Sequence, residues 1–372
     1  MELEYRIKEG TACIDRITDA GASVVVPDRL EGCPVTELGA YVLAGSPVED
    51  LHLPLSLERI GAYGFYGCES LRRIWCGSRI HDLGAGLFAG VTSVAYLEMW
   101  EYAGERSCFK ELLSELRQTL RVRVHLGVAP TEGQEENAAA GRNAVPDGQG
   151  ENAADGRKTV PEGQGENAAA GRKAVRAGTG VAEARLIFPE YYEESVENTP
   201  ARILFIETHG CGHRYRYCFS GRTFQFGAYD ELFPHAQVQE PEELVTELAL
   251  GRLMFPVELS AAAGERYRAY VREHWEMAGR LLLDADRLRR DTVTNLEPGK
   301  LPWLVDEVLE QDAGGQAERL GRYIDLAGQA GDTEMVSWLM ERRRRLAQAG
   351  EGTAGETTGP GGAPRRKRRF EL

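Results

Sequence analysis

His209, Cys211, His213 and Cys218 form an H-x-C-x-H-x4-C pattern, a set of residue types that could hold a zinc ion. Zinc takes four nitrogen or sulfur ligands in a tetrahedron. Alternation on a loop between two strands would turn three of these side chains to one side. The paired C-x2–4-C and H-x3–5-H spacings of zinc sites are missing, however, and Cys218 alternates within an apolar segment. The cluster therefore reads as a glycine-bearing β-loop with a buried cysteine, and no metal or cofactor is expected. Glu190, Glu193 and Glu194 could pair as catalytic carboxylates, but their setting reads as a solvated face. The chain has no G-x-x-x-x-G-K-[ST] loop, no G-x-G-x-x-G after a strand, no G-x-S-x-G elbow and no H-E-x-x-H. The expectation is a non-enzymatic protein. The alternative is a catalytic carboxyl-terminal region targeted by an amino-terminal one.

The other chemistry is recognition. Arg73, Trp75 and Tyr96, with Asp50, His52 and Glu98, combine the aromatic and arginine residues that dominate protein interfaces. Their positions follow from a repeat. Gly39, Gly61 and Gly84 each follow an aliphatic residue and precede alanine, and Leu43, Phe65 and Phe88 stand three positions beyond that alanine. Gly45, Gly67 and Gly90 come next. Val48, Leu71 and Val94, then Leu51, Ile74 and Leu97, then Leu53, Cys76 and Met99 run at a strict period of 23, and Val35, Leu57 and Ile80 complete the register. Each coil supplies one short strand, with Leu51-His52-Leu53, Ile74-Trp75-Cys76 and Leu97-Glu98-Met99 alternating inward and outward side chains. One coil cannot bury its own apolar face, whereas stacked coils share a core. The outward residues then form two ladders, Val25, His52, Trp75 and Glu98 beside Ser23, Asp50, Arg73 and Tyr96, with rungs about 4.8 Å apart.

The middle coil, Ile60-Gly61-Ala62-Tyr63-Gly64-Phe65-Tyr66-Gly67-Cys68-Glu69-Ser70-Leu71, resembles the BspA-like leucine-rich repeat. The opening resembles the first unit of such domains, with Tyr5–Ile7 and Ala12–Ile14 as a hairpin, followed by Ser23–Pro27 and Gly32–Val35. The resemblance covers roughly residues 3–100. It implies a curved parallel-sheet solenoid used to bind a protein partner. Residues 105–120 have helical spacing and would cap the solenoid, and Arg121–Leu126 alternates as its last edge strand.

From Ala129 to Gly180 the chain contains no aromatic, leucine, isoleucine, methionine or cysteine, and Asn137, Asn152 and Asn167 mark a period of 15. Such a segment cannot bury enough surface to offset chain entropy. A disordered linker over 128–180 is expected, spanning about 40 Å as a coil. Beyond it, Ala184–Phe188 reads as a strand. Arg202–Glu207, Arg214–Phe219 and Arg222–Phe226 read as a small antiparallel sheet with a turn at Ser220-Gly221. Tyr229–Phe233 reads as a helical turn. Helices are expected over Glu242–Leu253, over Ala261–Asp284 with Ser260 as N-cap, around Trp303–Leu309, and over Ala317–Ala327 and Thr333–Leu346, the last capped by Asp332.

The predicted class is thus α+β. An amino-terminal leucine-rich-repeat parallel β-solenoid over 1–127 is followed by the linker, a small antiparallel sheet with a helical region over 181–348, and a basic disordered tail over 349–372. The net charge of 44 − 58 = −14 argues against nucleic acid as the partner, despite the Arg365–Arg369 run. No apolar run reaches the roughly 18–20 residues of a membrane span. Seven cysteines without C-x-x-C, and an opening MELEYRIKEG that lacks the apolar core of a signal peptide, point to the cytoplasm. An exported surface adhesion protein is the remaining alternative.

Overall fold

A computed structural model describes residues 1–102, 105–127, 182–198, 203–287, 293–309 and 315–353. The expected linker over 128–180 lies outside these; of the tail expected over 349–372, residues 349–353 are instead the end of a helix and the rest lies outside the described residues. The chain opens with the hairpin β1 (Glu2–Lys8) and β2 (Thr11–Thr18), turning through Glu9 and Gly10 at positive φ. It then winds through β3 (Ser23–Val25), β4 (Arg29–Leu30), β5 (Cys33–Leu38), β6 (Asp50–His52), β7 (Arg59–Ile60), β8 (Arg73–Gly77), β9 (Asp82–Leu83), β10 (Tyr96–Tyr102), helix α1 (Phe109–Glu115) and β11 (Leu120–Gly127). Each coil up to β10 donates one strand to each of two sheets, and the last supplies α1 and then β11. One sheet has the order β1-β2-β5-β7-β9, with β4 paired to β5 off this path, and is parallel apart from the antiparallel β1-β2 and β4-β5 pairs. The other runs β3-β6-β8-β10-β11, all parallel. The result is a parallel β-solenoid.

The period of 23 becomes one rung of the sheet. Leu51, Ile74, Leu97 and Val122 are register partners on successive strands, and all are buried. Cys76, Met99 and Val124 form the next buried row. The columns Leu43–Phe65–Phe88 and Val48–Leu71–Val94 are likewise buried in the core. The glycines at 61 and 84 mark the tightest corners. A Cβ on either would land on the backbone of the preceding coil at Ala40 or Ala62.

Arg121–Leu126 is a strand, as expected, but not an edge. β12 (Ala182–Phe188), which follows the linker, pairs antiparallel with β11 from Leu120↔Phe188 to Leu126↔Ala182 and becomes the last strand of the solenoid sheet. Local alternation cannot reveal an edge covered by a strand from beyond fifty intervening residues. β12 is itself an edge, and it is blunted. The Tyr229 hydroxyl donates to the carbonyl of Ile187 and accepts from its N–H, at 2.7 and 2.9 Å.

The described residues between 189 and 254 follow. β13 (Tyr192–Asn198) and β14 (Ile203–His209) form an antiparallel hairpin. The segment predicted as the strand Arg214–Phe219 instead carries α2 (Gly212–Arg216), and only Phe219–Ser220 (β15) is extended, paired with β16 (Thr223–Phe224) across the expected turn. The Arg-Tyr-Arg-Tyr alternation that suggested a strand is satisfied by one helical turn that buries Tyr215 and Arg216 side by side. Phe226 likewise leaves the predicted strand and starts α3 (Phe226–Glu231), followed by α4 (Phe233–Gln239) and α5 (Glu242–Met254).

The Arg216 guanidinium is buried and donates to five carbonyls: Leu113, Leu116 and Gln118 at the end of the capping segment, Pro189 after β12, and Gly212 in its own helix, at 2.5–3.2 Å. Phe109 of α1 meets Phe188, Phe219 and Phe224 edge-on or tilted within 6.0 Å. The α2 and β15-β16 segments are thus tied to the solenoid cap by a buried cation and an aromatic cluster.

The described residues fall into two compact units, one up to residue 265 together with 293–295, the other from residue 266 onward without those three. The helix α6 (Ala261–Glu273) starts on the Ser260 hydroxyl, which accepts from the Ala263 N–H at 3.1 Å. The single helix expected over Ala261–Asp284 is divided at His274, with α7 (Trp275–Arg287) beyond, although backbone hydrogen bonds continue from Tyr270 to Ala278. In the second unit follow the short α8 (Leu301–Trp303), a π-helical turn (Leu304–Val308), α9 (Gln316–Ala330) and α10 (Thr333–Thr353), which form a helical hairpin through Gly331. Asp332 caps α10 as expected, accepting from the Met335 N–H at 2.9 Å. Tyr323 packs over Gly279 and donates to the Trp275 carbonyl. No helix among the described residues is long and apolar enough to cross a membrane.

Two stability outcomes follow. Gly61→Ala should cost about 3 kcal/mol or more in urea unfolding, because the methyl meets backbone rather than a movable side chain. Arg216→Met should cost a similar amount by stranding buried carbonyls, whereas Arg59→Met, which loses only an exposed pair with Glu37, should stay within about 0.5 kcal/mol of the native chain.

Candidate functional site

The outward face of the β3-β6-β8-β10-β11-β12 sheet carries the polar and aromatic chemistry of the first unit. The two predicted ladders are present. Ser23, Asp50, Arg73 and Tyr96 are successive register partners, as are Val25, His52, Trp75 and Glu98. All six residues singled out from spacing, Asp50, His52, Arg73, Trp75, Tyr96 and Glu98, therefore stand in one patch. They bind one another across rungs. Arg73 grips Asp50 with two nitrogens, at 2.6 and 3.0 Å. The His52 imidazole stacks on Trp75 with centroids 4.0 Å apart and planes 9° from parallel. The Trp75 indole N–H donates to Glu98 at 3.1 Å, and the Tyr96 hydroxyl donates to the same oxygen at 2.8 Å.

Glu98 is the hub. Its other oxygen lies 2.6 Å from His125 Nε2, which must donate, since a carboxylate can only accept. Arg123 stands 3.7 Å away. Burial alone would raise the pKa of Glu98. The His125 hydrogen bond, the Arg123 charge and the Tyr96 hydroxyl outweigh that effect and hold the carboxyl down at about 2. Burial first, then the Glu98 charge, pushes the Tyr96 phenol up, so it remains a donor. Tyr96 is buried, and its role is to hold Glu98. The other five are half-buried.

The ladders run on into two strands that the spacing did not extend to. Tyr96 is followed by Arg121 and Ile187, and Glu98 by Arg123 and Arg185. Arg123 and Arg185 share Glu183, at 3.3 and 2.6 Å. His125 stacks on Trp100, 4.8 Å between centroids. Helix α5 lies over β12, and its buried Glu247 holds Arg121 in a fork of three contacts between 2.7 and 3.0 Å. Glu247 also accepts from the Asn295 N–H and the Thr294 hydroxyl. The signal for Arg121, Arg123 and His125 was present in their alternation. Their phase was hidden because α1 lengthens the coil from 23 to 25 residues. No local signal points to Glu247.

The H-x-C-x-H-x4-C residues go to separate places. His209 stacks on Tyr192 at the end of its hairpin. Cys211 is buried and its thiol donates to Glu240 at 3.1 Å. His213 lies between Tyr191 and Tyr217, and Cys218 is buried against the Arg214 carbonyl. Burial raises both thiols, that of Cys218 to about 12, which keeps them protonated. Among the described residues no group of three or more His, Cys, Asp or Glu is placed to hold a metal.

Compared with protein-family models, with curated proteins and with solved structures, the chain finds no match.

The Glu98 hub sets a pH dependence. Its folded-state pKa is depressed, so its contribution is complete above its ordinary value of 4.5 and is lost as pH falls through about 2. The shift corresponds to up to about 3 kcal/mol. Glu98→Gln should lose most of this at pH 7 and flatten the decline in stability between pH 4.5 and 2. Equal slopes for the two proteins in acid titrations of unfolding would exclude this account.

Proposed function

We propose that the first unit is a non-enzymatic recognition module that takes a protein partner across the outward ladder face of its solenoid sheet. The observation that supports this is the convergence of Asp50, His52, Arg73, Trp75, Tyr96 and Glu98 on adjacent rungs, with rotamers fixed by mutual bonds. A surface already ordered before contact spares much of the side-chain entropy that binding otherwise costs. Trp75 with its stacked His52, and Arg73 with Asp50, form the contact layer. Tyr96 and Glu98 form the layer that positions it.

In this reading the repeats are of the BspA-like leucine-rich kind, on the strength of the Ile60–Leu71 pattern. The linker serves as a tether. The chain works in the cytoplasm, a reading supported by cysteines that are all free thiols. Signs on the face alternate, with Asp50 against Arg73 and Glu98 against Arg123, so a partner segment of mixed charge fits better than a polyanion.

The test is affinity recovery from native cells with the full chain as bait. Trp75→Ala with Arg73→Ala should remove the partners that the native chain recovers, at least tenfold by quantitative mass spectrometry, a loss of about 1.4 kcal/mol or more. Undiminished recovery by a folded double variant would end the proposal.

A further inference from the structure

The solenoid leaves one long strand with an open side. β1 ends the β1-β2-β5-β7-β9 sheet, and among the described residues its only strand partner is β2. The register shift in this hairpin leaves Asp15 of β2 as the unmatched residue, so β1 itself is an unbroken seven-residue strand without proline. All its residues but Leu3 are exposed, including Tyr5 at 39% and Ile7 at 40%. Alternate N–H and C=O groups of such a strand face away from its partner. Natural edges of this length are usually shortened, bulged or covered, because they template pairing with another chain.

The sequence of β1 is complementary to its own reverse. Glu2-Leu3-Glu4-Tyr5-Arg6-Ile7-Lys8, laid antiparallel on a second copy about Tyr5, sets Glu2 opposite Lys8, Glu4 opposite Arg6 and Leu3 opposite Ile7. Every charged residue meets its opposite and every apolar residue meets an apolar one, the pairings that stabilise cross-strand neighbours. A slip of two residues either way sets Glu4 on Glu4 or Arg6 on Arg6. A parallel in-register stack sets every charge on its like. The existing contacts are compatible with this pairing. Arg6 meets Asp15 through Nη2 at 3.2 Å, which leaves its other nitrogens for a second carboxylate, and the Tyr5 hydroxyl donates to Glu31 at 2.9 Å.

We propose that β1 is a homodimerisation strand, joining two copies of this chain edge to edge in the register centred on Tyr5. The pairing merges two six-stranded sheets into one across a twofold axis and closes both β1 edges. It is isologous, so it stops at two copies. An interface one strand wide is small, and its charged pairs are exposed, so association is reversible and weakens with salt.

Sedimentation velocity of the full chain at rising concentration tests this, with circular dichroism to verify folding. The native chain should pass from monomer to dimer. Glu4→Arg alone and Arg6→Glu alone each create like-charge pairs and should shift dissociation at least tenfold toward monomer. An equimolar mixture of the two should regain the native affinity, because the first variant's cations then face the second variant's carboxylates. A native chain that stays monomeric, a dimer indifferent to either substitution, or a mixture that fails to recover would each overturn the proposal. Tyr5→Cys supplies a measurement that does not depend on charge. Directly opposed Cα atoms in an antiparallel pair lie about 4.5–5.5 Å apart, within disulfide reach, so mild oxidation should yield a covalent dimer. Failure to cross-link would overturn the register.

Discussion

The backbones of successive coils approach at the glycine–alanine corners more closely than any side chain would allow. The Gly61 N–H donates to Leu38 and the Gly84 N–H to Ile60, each at 2.8 Å, and the same bond joins Gly39 to Ile14. These contacts hold each coil one strand spacing from the last. Residues a full period apart in sequence thereby become nearest neighbours in space. The ion pair of Arg73 with Asp50 and the hydrogen bond of Trp75 to Glu98 both span 23 residues. The ladder chemistry depends on this translation, since a coil displaced by one residue would turn Trp75 inward and Ile74 outward.

A solenoid also needs its ends closed, because its core is continuous along the axis. Here the carboxyl end is closed by pieces from distant parts of the chain. α1 covers the core, β12 pairs with the last parallel strand, and Arg216 holds the two together through carbonyls contributed by both. Burial lowers the Arg216 pKa to about 10, so it still carries its charge at neutral pH. That charge lies over the rings of Phe188 and Tyr191, and its donors are met by the bonds that close the cap. A buried cation with this many partners is costly to break and specific in geometry. It adds to the β11-β12 pairing in joining α2 and β12 to the solenoid cap.

The repeat was legible in the sequence because translation preserves residue type. Leu51, Ile74 and Leu97 had to lie side by side once the period was recognised, and the outward residues between them followed. Legibility ended where a contact had no periodic counterpart. Ala184–Phe188 could be read as a strand, but nothing in it says that its partner is Leu120–Leu126. Arg214–Phe219 shows the opposite failure. Its alternation suits a strand, but Gly212 sits so close to the Pro189 carbonyl that only glycine fits, and the backbone turns into a helix there. The six ladder residues were recoverable from spacing. Arg121, Arg123 and His125 were visible as an alternating strand without a phase, and Glu247 was not visible at all.

The Glu98 hub shows how such a face can be both polar and rigid. A half-buried carboxylate without partners would take up a proton or shift into solvent. The His125 hydrogen bond, the Arg123 charge and the Tyr96 hydroxyl instead hold it ionised, and its donors are fixed in return: Trp75 between Glu98 and His52, His125 between Glu98 and Trp100. The order of the patch therefore does not come from any one side chain. It comes from adjacent rungs that present donors and acceptors at the same height, which only a regular stack can do. Disturbing the stack at a glycine corner far from the face would loosen the Trp75 indole without touching it, so shape and chemistry on this surface are set by the same backbone constraint.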